Sequence, residues 1–349
     1  MNTSIISLSL INTNSYSPFF LTHSHISFKR FFSYKTTFIN IFSNNCLKIT
    51  ESQFSYCQCA CIRINSLYEG FKVFQQKIGP FSQDIVIEYS IFRNLGNRAI
   101  ADTSSFSVSL YRVIFSDIYS SSLGGAIYKK SGSIYSSFCC FEFCRSSSDN
   151  GNLLYYDSLS DVSIISSTIF NCWKDTNCAA HTSYVHSEKC IIKFVNCTNN
   201  KNRLLSCVIE PTTCKNAEFA FCHYFLGYSS GICHPMGSSF TMSHINIIKN
   251  TGTVAFFAFY KSSIRLENCY LFQNIHPKLH YYNAGVYSNC FGDFSFSGIS
   301  IRSSVITFFL NLEYPINCIP VFTIPTSISM TSIFINYPLY IVLLSLIST

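Results

Sequence analysis

An eleven-position phrase recurs along this chain and limits its fold more than any other feature. The clearest copy is IRLENCYLFQN at 264–274. Counting Ile264 as step 0, apolar residues fill steps 0, 2 and 7, and a small polar or thiol residue fills step 10. The phrase returns with drift as LKITESQFSYC from Leu47, IVIEYSIFRNL from Ile85, VSLYRVIFSDI from Val108, CIIKFVNCTNN from Cys190 and FTMSHINIIKN from Phe240. Weaker copies begin at Ile26, Ile134, Ser163, Lys215 and Phe294. Successive starts lie 21 to 30 residues apart, except for one step of 38 between Leu47 and Ile85. Self-similarity at such a period marks a stacked-repeat architecture.

The residue types choose the kind of stack. Steps 0 and 2 alternate as on a pleated strand, and Ile, Val, Phe, Tyr and Thr suit strands better than helices. Helical solenoids need Ala, Leu, Glu and Lys at 3.6-residue spacing, and the leucine-rich frame needs Leu where this chain uses Ile, Phe and Ser. Each copy is followed by a second apolar run, such as GGAIY at 124–128, NLLYY at 152–156, SGIC at 230–233, VAFFAFY at 254–260 and AGVY at 284–287. One repeat thus holds at least two short strands with a bend between them, the make-up of one coil of a parallel β-helix. The expected fold is all-β: a parallel β-helix solenoid of about ten to eleven coils, roughly 50 Å long at ~4.8 Å per coil. Parallel crossovers are overwhelmingly right-handed, so a right-handed coil is expected.

Two short phrases carry a resemblance. FSNN at 42–45 and FFLN at 308–311 fit F-x-x-N, and GGAI at 124–127 fits G-G-A-[IVL]. In these the chain resembles the repeats of polymorphic outer-membrane and autotransporter-type adhesins. At the level of period, over roughly 26–310, it is similar to right-handed parallel β-helix proteins of the pectin-lyase-like class. That class includes polysaccharide lyases, glycoside hydrolases and non-catalytic surface proteins, so the resemblance implies a fold and leaves the activity open.

Three segments follow. Residues 1–25 form a lead-in or N-terminal cap, 26–310 the β-helix, and 311–349 an apolar C-terminal cap or a membrane anchor. The stretch 66–83, with Gly70, Gly79 and Pro80, is the expected insertion behind the long step. Turn-rich breaks are expected at SSSDNG (146–151) and TNNKNR (198–203), where Asn and Gly suit left-handed bends. Residues 328–347 carry no charge and are long enough to span a bilayer, but polar residues and Pro338 interrupt them and no basic residue follows. The N-terminal MNTSIISLSLINTNSYS has a short apolar run but no basic start and no strong cleavage site, so it reads as a poor secretory leader.

Only 12% of residues are charged, against about 25% in an ordinary soluble domain. A core filled from every side of a coil accounts for the deficit. The net charge of +7 is scattered, without the clustered footprint that nucleic-acid binding needs. Eighteen cysteines permit disulfides without requiring them, since buried thiols also serve as small hydrophobes. Cys197 and Cys222 are expected to share step 7 in consecutive coils, close enough to bridge but with parallel Cβ vectors.

Catalytic chemistry finds little purchase. No Asp-Asp pair occurs, and nothing in the spacing selects two carboxyls about 5–9.5 Å apart for sugar hydrolysis. Glu88 and Arg112, on consecutive coils, come nearest to a lyase-like acid and base, and a surface ion pair explains them as well. Cys57, Cys59 and Cys61 would share one strand face as a thiol stripe, since C-x-C is not a zinc spacing. Cys139, Cys140 and Cys144 read the same way. His181 and His186, Cys222 with His223, and His276 with His280 all miss helical or shared-face ligand geometry. No catalytic, cofactor-binding or metal-ligating residue is therefore assigned. The expected function is a non-catalytic, adhesin-like surface or secreted β-helix that binds glycans or protein surfaces, with membrane contact through the C-terminal segment. An intracellular structural or interaction repeat protein is the alternative, and a carbohydrate-active enzyme on the same fold is the second.

Overall fold

Alternation drives the phrase into strands, because every second side chain can then be covered by the turn before and the turn after. The computed structural model describes residues 2–6, 9–11, 19–21, 25–29, 32–34, 39–42, 46–56, 61–65, 84–148, 150–172, 181–201, 213–233, 239–257, 263–275, 286–288 and 291–292. Among these residues the chain is an all-β parallel solenoid with no helix.

Each turn has three sides, one more than the two strands the sequence requires at least. The first side stacks Asp84–Glu88, Ser107–Tyr111, Ile134–Ser137 and Asp161–Ile165. The second stacks Ile91–Leu95, Ile114–Ser120, Cys140–Ser146 and Thr168–Phe170. The third stacks Ile100–Asp102, Ile127–Lys129 and Leu154–Asp157. The long strand Ser183–Lys193 then runs around a corner, pairing with Leu154–Asp157 at one end and Asp161–Ile165 at the other. About five turns are described, fewer than the ten to eleven expected. Elsewhere part of the circuit lies outside the described residues, although first-side rungs extend from Asn2–Ile6 to Val286–Ser288.

The register follows the repeat. Ile26 pairs with Leu47, Leu47 with Ile85, Ile85 with Val108, Val108 with Ile134, and Phe240 with Ile264. Two weak starts are corrected. Ile134 pairs with Val162 rather than Ser163, and Cys190 pairs with Ala217 rather than Lys215. A slip of one residue would turn Ser163 inward and expose the buried Val162 and Ile164, so the apolar pair decides the register. The Phe294 start lies outside the described residues, and Val286 already pairs with Arg265.

Inside the rod, steps 0 and 2 are almost fully covered from Leu47 and Ile49 to Leu266, and apolar except at Ser136, which takes step 2 beside Leu110. Burial of each such apolar side chain contributes about 1.5–3 kcal/mol. Step 7 forms a column of Phe54, Phe92, Phe115 and Phe141, with centroids 4.9, 5.2 and 4.8 Å apart and planes within 8° of parallel.

The bends obey a rule that composition hides. At step 4 the chain enters the left-handed region at Glu51, Tyr89, Arg112, Phe138, Ser166, Phe194, Phe221, His244 and Asn268, with φ between 49° and 56°. It does so again at step 9, at Tyr56, Asn94, Asp117, Phe143, Asn171, Asn199, Leu226, Lys249 and Gln273. Non-glycine residues take this conformation at a cost of roughly 1–2 kcal/mol. The corner hydrogen bonds offset it: Tyr89 N–H donates to Tyr111 C=O, Arg112 N–H to Ser137 C=O and Phe138 N–H to Ile165 C=O, each across to the next turn. The ladder therefore continues around the bend. Asn199 is one of these regular corners, so TNNKNR opens with a standard bend and not with a break in the body.

Just after six of the nine step-4 bends a small polar or thiol side chain turns inward and donates to the carbonyl two residues before it, while Val113, Val195 and Ile245 fill the same place after the other three. Ser52, Ser90 and Ser167 do this with hydroxyls; Cys139, Cys222 and Cys269 do it with thiols. At step 10 the thiols of Cys144 and Cys172 give way to Asn200, Asn250 and Asn274. Asn250 Oδ1 accepts from Gly227 N–H at 2.8 Å while its Nδ2 donates to Tyr224 C=O at 2.9 Å. Cysteine is thus used as a small core residue with one weak donor. Cys61, Cys139, Cys144, Cys172, Cys190, Cys197, Cys214, Cys222 and Cys269 are buried thiols outside any disulfide, whereas Cys140 is disulfide-bonded. Cys197 stacks on Tyr224, and Cys222 sits at the preceding corner, so the expected shared step is corrected. The lead-in beyond its short strands, the insertion 66–83 and all of 311–349, including 328–347, lie outside the described residues. Among the described residues no helix is long and apolar enough to cross a membrane.

Candidate functional site

The step-4 bends project their side chains outward at the corner between the first and second sides. Because every turn bends at the same place, these side chains line up along the rod. Phe138, Phe194 and Phe221 are 50%, 49% and 39% exposed there, too exposed for core packing to explain. Phe194 and Phe221 stack at 5.1 Å with planes 6° apart, and Phe221 stacks on His244 at 4.8 Å. Nearer the first described turns, Tyr111 meets Tyr89 and Phe138 edge-on at 5.5 and 5.7 Å. The Arg112 guanidinium lies over Tyr89, Tyr111 and Phe138 at 5.7, 5.4 and 6.0 Å, each contact worth about 0.5–1 kcal/mol at an exposed site. The result is an aromatic ridge with a cation in it.

A second row runs along the third side. Tyr128, Tyr155 and Tyr184 are register partners and stack at 5.4 and 5.0 Å. Arg98 covers the free face of Tyr128 at 4.7 Å, and His181 meets Tyr184 edge-on at 5.9 Å. Burial, then the neighbouring Asp157 carboxylate and the adjacent phenols, push the Tyr155 hydroxyl up to about 12, and burial raises Tyr184 as well. Both phenols remain protonated donors at neutral pH. Asp157 accepts from Tyr155 at 3.4 Å and lies 2.9 Å from His186 Nδ1. The ring faces are used within the row, so it offers a line of hydroxyl groups and edges.

The residues weighed from the sequence are placed as follows. Glu88 and Arg112 do not form a pair. Glu88 meets Lys48 at 3.3 Å, and Arg112 turns out over the aromatic rings because its bend points it away from the first side. Asp117 meets Arg145 at 2.8 Å, Glu218 meets Lys193 at 2.7 Å and Glu267 meets Arg265 at 2.6 Å, so these acids are held by basic partners. Asp157 and His186 come together, while His181 is buried. Cys61, Cys139 and Cys144 face the core, and Cys140 packs with Ile91 and Ile114 in a satellite cluster. Cys57, Cys59, His276 and His280 lie outside the described residues. Among the described residues no group of three or more His, Cys, Asp or Glu is placed to hold a metal ion.

No family model, no curated protein and no solved structure matches this chain. The geometry stands alone.

The sequence reading missed both rows. Their signal was present in the aligned copies, where Tyr89, Phe138, Phe194 and Phe221 share step 4 and the three tyrosines recur one turn apart. Neither position belongs to the apolar set that defines the phrase, so both passed as ordinary outward residues.

Proposed function

We propose that this rod is a non-catalytic, adhesin-like surface or secreted protein of the right-handed, pectin-lyase-like β-helix kind, and that it binds glycans or protein surfaces along its aromatic ridge. The carrying observation is the alignment of Phe138, Phe194 and Phe221 at one corner, each more than a third exposed, with Phe194 and Phe221 stacked face to face. Exposed aromatic residues in a row are characteristic of binding surfaces, since they bring large contact area at small entropic cost. A repeat rod presents such a surface many times over, which favours extended or multivalent partners. The disulfide at Cys140 fits an oxidising compartment.

The test combines location and binding. Membrane-impermeant labelling of intact cells should reach the tagged full-length chain; failure to label lysed-cell-positive protein would remove the surface placement. Purified rod should bind an immobilised glycan array or intact cells. The triple variant Phe138→Ser, Phe194→Ser, Phe221→Ser should lose that binding by tenfold or more while keeping its circular dichroism. Equal binding by the variant would sink the ridge as the contact surface.

A second reading is favoured by a different observation. Nine described thiols lie outside any disulfide, as in a reducing compartment, and an intracellular interaction repeat protein would show them. Cell fractionation separates the two.

A further inference from the structure

A complete ion pair lies inside the solenoid. Asp102 and Lys129 are register partners on adjacent turns of the third side, and both side chains point inward with no exposed surface. Lys129 Nζ is 2.6 Å from Asp102 Oδ2 and 2.7 Å from Phe106 C=O. Asp102 Oδ1 accepts from Ser104 N–H at 2.7 Å and from Ser104 Oγ–H at 2.6 Å. A buried charge pair of this kind offers little net stability over an apolar pair, so stability alone does not account for it.

We propose that Asp102 and Lys129 condense with each other to form an isopeptide cross-link between two turns of the rod. The arrangement supplies each requirement of the step. The amine is held against the carboxyl by the β-ladder, so the reaction is intramolecular and its effective concentration is high. Burial raises the Asp102 carboxyl above its usual range, against the opposing pull of Lys129, and lowers the Lys129 amine, against the opposing pull of Asp102. Both shifts favour the neutral acid and the neutral amine, the pair that reacts.

The atoms balance without any co-reactant. A proton passes from Nζ to Oδ2. The Nζ lone pair then attacks Cγ, and negative charge develops on Oδ1, where the two Ser104 donors already point. Phe106 C=O accepts a hydrogen bond from an Nζ proton and steers the lone pair toward Cγ. Collapse breaks the Cγ–Oδ2 bond, and Oδ2 leaves as water with its own proton and one from Nζ. Nothing is oxidised or reduced. Solvent exclusion disfavours the reverse hydrolysis, and the product amide removes two buried charges. The cross-link would close a loop between neighbouring rungs, so the rod could not unzip past that point. The inference does not rest on the proposed surface role.

The experiment is an intact-mass measurement on the denatured and reduced full-length chain, followed by tryptic mapping. The expected result is a mass one water below that of the sequence, no cleavage after Lys129, and one branched peptide joining the segments of Asp102 and Lys129. Lys129→Met and Asp102→Ala should restore the full expected mass. Asp102→Asn should give the same branched peptide with loss of ammonia. The unmodified chain decides the matter even if the variants fail to fold. A full-mass chain overturns the proposal, and so does water loss without a branched peptide, which would indicate a cyclic imide at Asp102-Thr103.

Discussion

Phe92 and Phe115 lie face to face inside the rod, with ring centroids 5.2 Å apart and planes 8° from parallel. Each is a register partner of the other on the second side, and Phe54 and Phe141 extend the column in both directions. Phe115 therefore has an aromatic neighbour on each face and none of its surface in solvent. Replacing it by alanine opens a cavity that two neighbouring turns border. Phe115→Ala should cost about 3–5 kcal/mol, seen as a lower urea midpoint. A loss under about 1 kcal/mol would mean that the column does not bear on stability.

Asn250 tests the corner ladder. Its Oδ1 accepts from the buried Gly227 N–H at 2.8 Å, and its Nδ2 donates to the C=O of the buried Tyr224 at 2.9 Å. Asn250→Leu keeps the volume and removes both partners. Each orphaned group costs about 1–3 kcal/mol, so a combined loss of a few kcal/mol is expected by thermal or chemical denaturation. Hydrogen exchange at Gly227 should rise at the same time.

The left-handed bends give a contrast within one position. Ser166 holds φ at 49° and makes no ring stack that a substitution would disturb. Ser166→Gly fits the bend without steric cost, whereas Ser166→Val forces a β-branched residue into it. Valine should destabilise by about 1–2 kcal/mol relative to glycine, measured as the difference in unfolding midpoints. Equal midpoints would show that the bend relaxes.

The period, the strands and the inward steps were legible in the sequence because burial demands apolar residues at fixed positions, and Leu47, Ile85, Val108 and Phe115 supply them. The corners were not. Left-handed backbone is read from Gly and Asn, but here it falls on Phe138, Arg112, Phe194 and His244, whose types say nothing about φ. The cross-turn ladder imposes the bend, and only the register reveals it. Asp102 and Lys129 were hidden for a related reason: charges are read as outward unless opposite charges are aligned one turn apart. The thiols were half legible, since Cys139 and Cys222 look like a disulfide inventory until Ser52, Ser90 and Ser167 are seen to take the same corner.

Leu266 tests the inward face at the clearest copy of the phrase. It is fully buried and stacks on Met242 of the turn before. Leu266→Asp puts a carboxylate where no water reaches and should open that part of the rod locally, because each turn leans only on its neighbours. Limited proteolysis should cut the variant within 239–275 under conditions that spare the parent chain. An unchanged digestion pattern would count against the assigned face.

The core thiols predict a pH response. Burial pushes Cys139 and Cys222 from 9.0 to about 11, hydrogen bonds to each pulling the other way. The folded state thus holds these protons more tightly than the unfolded chain does. A raised value means stability that is complete below pH 9, where both states keep the proton, and that falls as pH rises from 9 through 11. For two such groups the loss is on the order of a few kcal/mol. Thermal unfolding at successive pH values should show a plateau to pH 9 and a decline above it. Cys139→Ala with Cys222→Ala should flatten that decline although it lowers the plateau, and both thiols should resist alkylation in the folded rod below pH 9 and react once it unfolds. A decline equally steep in the double variant would assign the alkaline response to other groups, first among them Cys144 and Cys190, whose thiols burial also pushes well above the usual range.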